Sequence, residues 1–128
     1  DISQQVAEER GQQLRDQALS SCSEGITISD ATLPDCPLVY VNDAFCCITG
    51  YGREEVLGRN CRFLQGPDTS LEAVAQLRAA VAERRATTVE LVNYRKQGLK
   101  FWNRLSITPV FDEQGVLVLY IGVQSDIT

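Results

Sequence analysis

The sequence predicts an α+β domain, a five-stranded antiparallel sheet with its helices on one face, preceded by a flanking helix over residues 1–24. Two short β-branched runs come early, three longer ones come late with brief connections, and the stretch between them carries helical caps and helical spacing. At 128 residues the chain can bury one real core but not two, and 44% apolar with 23% charged residues is an ordinary globular balance.

Taken in order, residues 2–21 are rich in Gln, Glu, Arg and Ala, a helical composition broken only by Gly11, with apolar residues too sparse for a wide core face. Residues 25–29 and 38–41 read as strands separated by a turn at Pro34, Asp35 and Pro37. Asn42 or Asp43 can cap a short helix through Ala44, Phe45, Cys46, Cys47 and Ile48, ended by Gly50 in the left-handed conformation. A further helical turn is expected over residues 53–57. Thr69-Ser70-Leu71-Glu72 matches a capping box, predicting a helix to about Arg84. Strands follow over residues 87–94, 99–110 and 116–125, joined at Gln97-Gly98 and at residues 112–115, and such short joints demand antiparallel neighbours.

Composition narrows the function. A net charge of -5 lacks the clustered cations of a nucleic-acid surface. No stretch approaches the ~20 apolar residues of a membrane span, and the polar start has no signal-peptide core, so a soluble, cytoplasmic domain is expected. The five cysteines, Cys22, Cys36, Cys46, Cys47 and Cys61, are odd in number and form no C-x-x-C pair, which suits free thiols rather than a disulfide framework or a zinc site. Histidine is absent, which removes Ser-His and Cys-His catalysis and His-ligated metals.

Polar residues then stand where apolar ones belong. Leu71, Val74, Ala75, Arg78, Val81 and Ala82 share one helical stripe, expected to be buried, and Arg78 there either pairs with an anion or reaches to water at the helix edge. Strand alternation puts Asn93 with Val89 and Leu91, Asn103 with Phe101, Leu105 and Ile107, and Gln124 with Val118, Tyr120 and Gly122. Gly122 leaves room for a close approach. Three carboxamides on successive strands can read a planar heterocycle that alternates C=O and N–H groups; each alone is equally an ordinary backbone-bonded amide. Around Cys61, a helical turn or two would place Cys61 and Gln65 on one side and project Arg62 elsewhere, where with Arg78 it could clamp a phosphate. Spacing alone does not separate Cys61 from a small buried hydrophobe.

The run Gly58-Arg59-Asn60-Cys61-Arg62-Phe63-Leu64-Gln65-Gly66 resembles the G-x-N-C-R-F-L-Q-G signature of LOV (light-oxygen-voltage) domains of the PAS superfamily without a mismatch. The similarity extends over residues 25–128, through Leu33-Pro34-Asp35, Val41-Asn42, Gly50-Tyr51, Asn93-Tyr94-Arg95-Lys96, Phe101-Trp102-Asn103 and Ile121-Gly122-Val123-Gln124. The resemblance implies a PAS-like fold, a sensor rather than an enzyme, and FMN as chromophore. It implies that light drives the cysteine matching Cys61 onto flavin carbon 4a while N5 gains a proton, and that Gln124 answers by rotating its amide and relays the change along the last strand. By the same resemblance Asn60, Leu64, Gln65, Asn93, Asn103, Leu105, Ile107, Gln124, Ser29 and Thr27 contact the flavin, and Arg62 and Arg78 hold its phosphate.

Cys36 and Gly25 stand where relatives frequently have Asn, and Leu105 replaces a common Phe, departures expected to tune affinity and dark recovery. Relatives that prefer FAD tend to have an insertion at loop 66–70, which is short here, so the resemblance implies FMN over FAD. An output domain in the same polypeptide and a homodimer through the flanking helix are the expected partners. The rivals are a cofactor-free PAS interaction module and a flavoenzyme using Cys61 as a thiolate beside Arg59 and Arg62.

Overall fold

The β-branched and aromatic runs do become strands. In the computed structural model, which describes residues 24–128, these are β1 (Glu24–Asp30), β2 (Leu38–Val41), β3 (Thr87–Tyr94), β4 (Lys100–Phe111) and β5 (Leu117–Asp126). The expected flanking helix falls outside the described residues except for Glu24, which opens β1 instead. The sheet order is β2-β1-β5-β4-β3, every pair antiparallel. The β3-β4-β5 meander follows from its short joints. The pairing of β1 with β5, from Glu24↔Ser125 to Asp30↔Leu119, brings opposite ends of the domain together and is a long-range event that no local signal announces.

Helix α1 (Asp43–Thr49) starts at Asn42, whose Oδ1 accepts from Phe45 N at 3.0 Å and from Ile26 N at 2.9 Å, so the cap also fastens the helix to β1. It stops at Gly50 (φ 78°), whose N–H donates to Cys46 O. A four-residue α2 (Arg53–Val56) follows, then a 3-10 turn (Cys61–Leu64) and α3 (Leu71–Glu83). The cap of α3 is Ser70 rather than Thr69: Ser70 Oγ accepts from Ala73 N at 3.2 Å. Thr69 is spent on the preceding loop, its hydroxyl accepting from Gly66 N at 2.9 Å and donating to Val92 O at 2.6 Å.

Two hydrophobic clusters hold these elements. Leu38, Val41, Phe45, Val56 and Leu64 form one, and Ala73, Val89 and Leu91 form the other, with Leu77 and Leu105 packed against it. Each fully buried large side chain stabilises by roughly 1.5–3 kcal/mol. The expected buried face of α3 is corrected by these contacts. Ala73 and Ala80 are its buried residues, whereas Leu71 is 85% and Val81 44% exposed. Gly25 has a packing reason rather than a ligand one, since a Cβ there would sit 2.9 Å from Phe45 Cα.

Candidate ligand-binding site

A cavity of about 580 Å³ lies among α3, the 3-10 turn, the β1–β2 loop and the inward side chains of β3, β4 and β5. That is the size of site that encloses a cofactor-scale molecule. The apolar stripe of α3 supplies Val74, Val81 and Ala82 to it, which is why those side chains are not sealed in the core. A neighbouring recess of about 480 Å³ shares Gln65, Val74 and Arg78 with it.

The sheet side is apolar apart from a row of carboxamides. Asn93 on β3 and Gln124 on β5 line the cavity, 3% and 2% exposed, between Leu91, Leu105, Ile107 and Tyr120. Asn103 on β4 stands behind them, fully buried, and does not itself line the cavity. Its Nδ2 donates to Asn93 Oδ1 at 2.8 Å and to Gln124 Oε1 at 3.4 Å. With the amide nitrogen so engaged, its Oδ1 is buried without a hydrogen-bond partner. An orphaned acceptor of that kind costs about 1–3 kcal/mol unless something supplies a donor.

Opposite the sheet, the 3-10 turn begins at Asn60, whose Oδ1 accepts from Arg62 N at 3.0 Å. The turn presents Cys61, Arg62, Leu64 and Gln65 to the cavity, so Arg62 is not projected away from Cys61 as the spacing suggests. Phe63 is held on the other side, edge-on to Tyr51 with ring centroids 5.0 Å apart and with the Arg59 guanidinium 4.3 Å above it. Gly66 closes the segment because the Tyr94 ring occupies the space a Cβ would need. Cys61 opens onto the cavity rather than onto bulk water, and this burial pushes its thiol up to about 12. That shift favours the protonated thiol over the thiolate that nearby cations suggest.

Of the other expected residues, Ser29, Asn60 and Arg78 line the cavity and Thr27 does not. Thr27 faces Gly122 across the β1–β5 pair, its Oγ1 2.5 Å from where a Gly122 Cβ would be. The close approach that Gly122 allows is thus made by a protein side chain. Cys36 lines the cavity as expected; burial raises its thiol pKa, with Asp30 and Asp35 adding to the rise. Asp35 and Leu33, read from the sequence only as turn and motif residues, also line it; a turn has no periodicity from which a cavity-facing side could be inferred. Among the described residues, no group of three His, Cys, Asp or Glu could hold a metal ion, and no helix is long and apolar enough to cross a membrane.

Residues 23–128 match the family model described as PAS domain. Phototropin-2 of Oryza sativa subsp. japonica is 49% identical over 117 residues, 91% of this chain and 13% of that protein. Blue-light-activated histidine kinase 1 of Erythrobacter litoralis is 55% identical over 103 residues, 80% and 29% of the respective lengths. The chain therefore spans under a third of these relatives. Among solved structures, the light state of the blue-light photoreceptor Aureochrome1 LOV superposes with a TM-score of 0.81 at 44% identity, covering 88% of each chain. On this match of sequence and overall structure, the chain belongs to the PAS domain family and, within it, to the LOV domains.

Proposed function

We propose that residues 25–128 are a blue-light sensor domain that binds FMN in this cavity and signals through a reversible bond made by Cys61. The observation that carries the reading is the carboxamide pair Asn93 and Gln124 on the cavity wall, with Asn103 and its orphaned acceptor bonded behind them, across the cavity from the Cys61 thiol. A flavin ring edge carries the alternating C=O and N–H groups such a row suits, and its remaining surface suits Leu64, Leu91, Leu105 and Ile107. Arg62 and Arg78 supply the charge for its phosphate. The loop between Gly66 and Ser70, tied to β3 through Thr69 and by Asp68 N donating to Tyr94 Oη at 2.9 Å, supports FMN rather than a longer dinucleotide.

When bound, flavin supplies blue-light absorption and an excited ring whose C4a–N5 unit accepts an addition. Cys61 would supply the thiol for that addition, both its sulfur and its proton, so no outside oxidant or reductant would be required. Burial keeps that proton on the thiol beforehand. Gln124 is placed to answer a nitrogen that changes from acceptor to donor by turning its amide, and it sits one residue before Ser125, which pairs with Glu24 in β1. The domain is read as a cytoplasmic sensor, not an enzyme, that controls an output domain in the same polypeptide, with residues 1–24 offering a homodimer contact.

Absorbance before, during and after blue light tests this. The expected result is a flavin spectrum that bleaches and returns in darkness, with Cys61→Ala keeping the flavin and losing the bleaching. Gln124→Leu should bleach normally yet show a smaller light-induced structural change. Purified protein that binds no flavin would overturn the reading in favour of a cofactor-free interaction module.

A further inference from the structure

At the rim of the cavity, a carboxylate already occupies one of the two guanidinium groups. Asp35 and Arg62 both line the cavity while their side chains stay 60% and 55% exposed, so the pair stands where the cavity meets solvent. Arg62 Nη2 lies 2.5 Å from Asp35 Oδ1 and 2.6 Å from Oδ2. Surface ion pairs are usually loose and of little consequence. This one is held at both backbones by a single side chain: Asn60 Oδ1 accepts from Arg62 N at 3.0 Å, and Asn60 Nδ2 donates to Asp35 O at 2.8 Å. Asp35 (φ 67°) and Cys36 (φ 48°) are also left-handed in succession, an arrangement non-glycine residues seldom adopt unless their surroundings require it.

Resting on the flavin reading above, we propose that Asp35 sets the selectivity of the cavity between phosphorylated and unphosphorylated flavin by competing with the ligand's phosphate for Arg62. A neutral ligand leaves the Asp35–Arg62 pair intact and needs neither guanidinium. A phosphate monoester, close to doubly negative at neutral pH, must draw Arg62 from a carboxylate whose backbone is fixed in place. Asp35 therefore narrows the advantage of FMN over riboflavin that two free guanidiniums would give.

The test is titration of flavin-stripped protein with FMN and with riboflavin, read by quenching of flavin fluorescence, for the unmodified chain, Asp35→Asn, Arg62→Gln and the double variant. Asparagine tolerates a left-handed backbone better than most residues, so Asp35→Asn keeps the loop. The ratio of riboflavin to FMN dissociation constants should rise about fivefold or more in Asp35→Asn, the scale of one rim charge. With Arg62 already replaced by Gln, the same change should move the ratio by less than about twofold, because the competition has lost its object. An unchanged ratio in Asp35→Asn, or an equal rise with and without Arg62, would overturn the role of Asp35 while leaving flavin binding standing. Binding of neither flavin by the unmodified chain would overturn the flavin reading and this inference with it.

Discussion

The two hydrophobic clusters are built from the same kinds of residue and end differently. In the cluster of Leu38, Val41, Phe45, Val56 and Leu64, every member is at most 3% exposed, and only Leu64 also reaches the cavity. In the cluster of Ala73, Val89 and Leu91, the flanking Leu77 and Leu105 and Leu91 itself line the cavity, while polar Asn93 and Asn103 sit on the same strands and Gln124 on the neighbouring β5. The first cluster is packed for stability. The second gives up part of its burial to make a wall.

The largest effect that separates them is expected at Phe45. Phe45→Ala should cost about 3–5 kcal/mol of unfolding free energy, measured by urea denaturation, and the loss should be the same with and without saturating FMN. A loss largely confined to the flavin-loaded protein would show that the first cluster also serves the ligand. Next comes Asn103→Leu in the second region, which should weaken FMN binding by about 1.4–2.8 kcal/mol, a 10- to 100-fold rise in Kd, beyond a cost of about 1–3 kcal/mol to the flavin-free protein, where one orphaned acceptor disappears but Asn93 Oδ1 and Gln124 Oε1 lose their donor. Equal losses in both states would make Asn103 a residue of the fold alone.

Cys61 gives a third, pH-dependent contrast. Its folded value, pushed up to about 12 from an ordinary 9.0, means that the folded chain holds the thiol proton more tightly than the unfolded chain does. The stabilisation belonging to this group is complete below pH 9 and declines as pH rises from there towards 12, by up to about 1.4 kcal/mol per pH unit. Parent and Cys61→Ala should therefore differ by a constant amount below pH 9, and the parent should lose ground above it. Parallel curves to pH 10.5 would refute the buried thiol. Smallest is Ser70→Ala, expected to cost about 1 kcal/mol through the lost cap of α3, with the change in Tm showing whether that helix is anchored by Ser70.

The meander was legible because its joints are too short for anything but antiparallel neighbours, and the carboxamides were legible because each breaks an apolar alternation. The α3 stripe was legible as apolar but not as to what it faces; the same spacing serves a core or a cavity wall, and here Val74, Val81 and Ala82 meet the cavity while Ala73 packs on Val89 and Leu91 of β3. Thr27 shows the limit of reading one strand at a time, since only the β1–β5 register reveals that it spends its side chain over Gly122. The Asp35–Arg62 pair joins residues 27 apart through a turn and a 3-10 segment, neither of which has a period from which contact could be inferred.

Pairing of Glu24 with Ser125 has an architectural consequence. The polypeptide enters and leaves this domain in adjacent strands, roughly 5 Å apart, so it can be spliced into a host loop without prising the host's own ends apart. Residues 24 and 125 meet at one corner of the sheet, beside Gln124, so a shift of β5 there would bear on β1 as well.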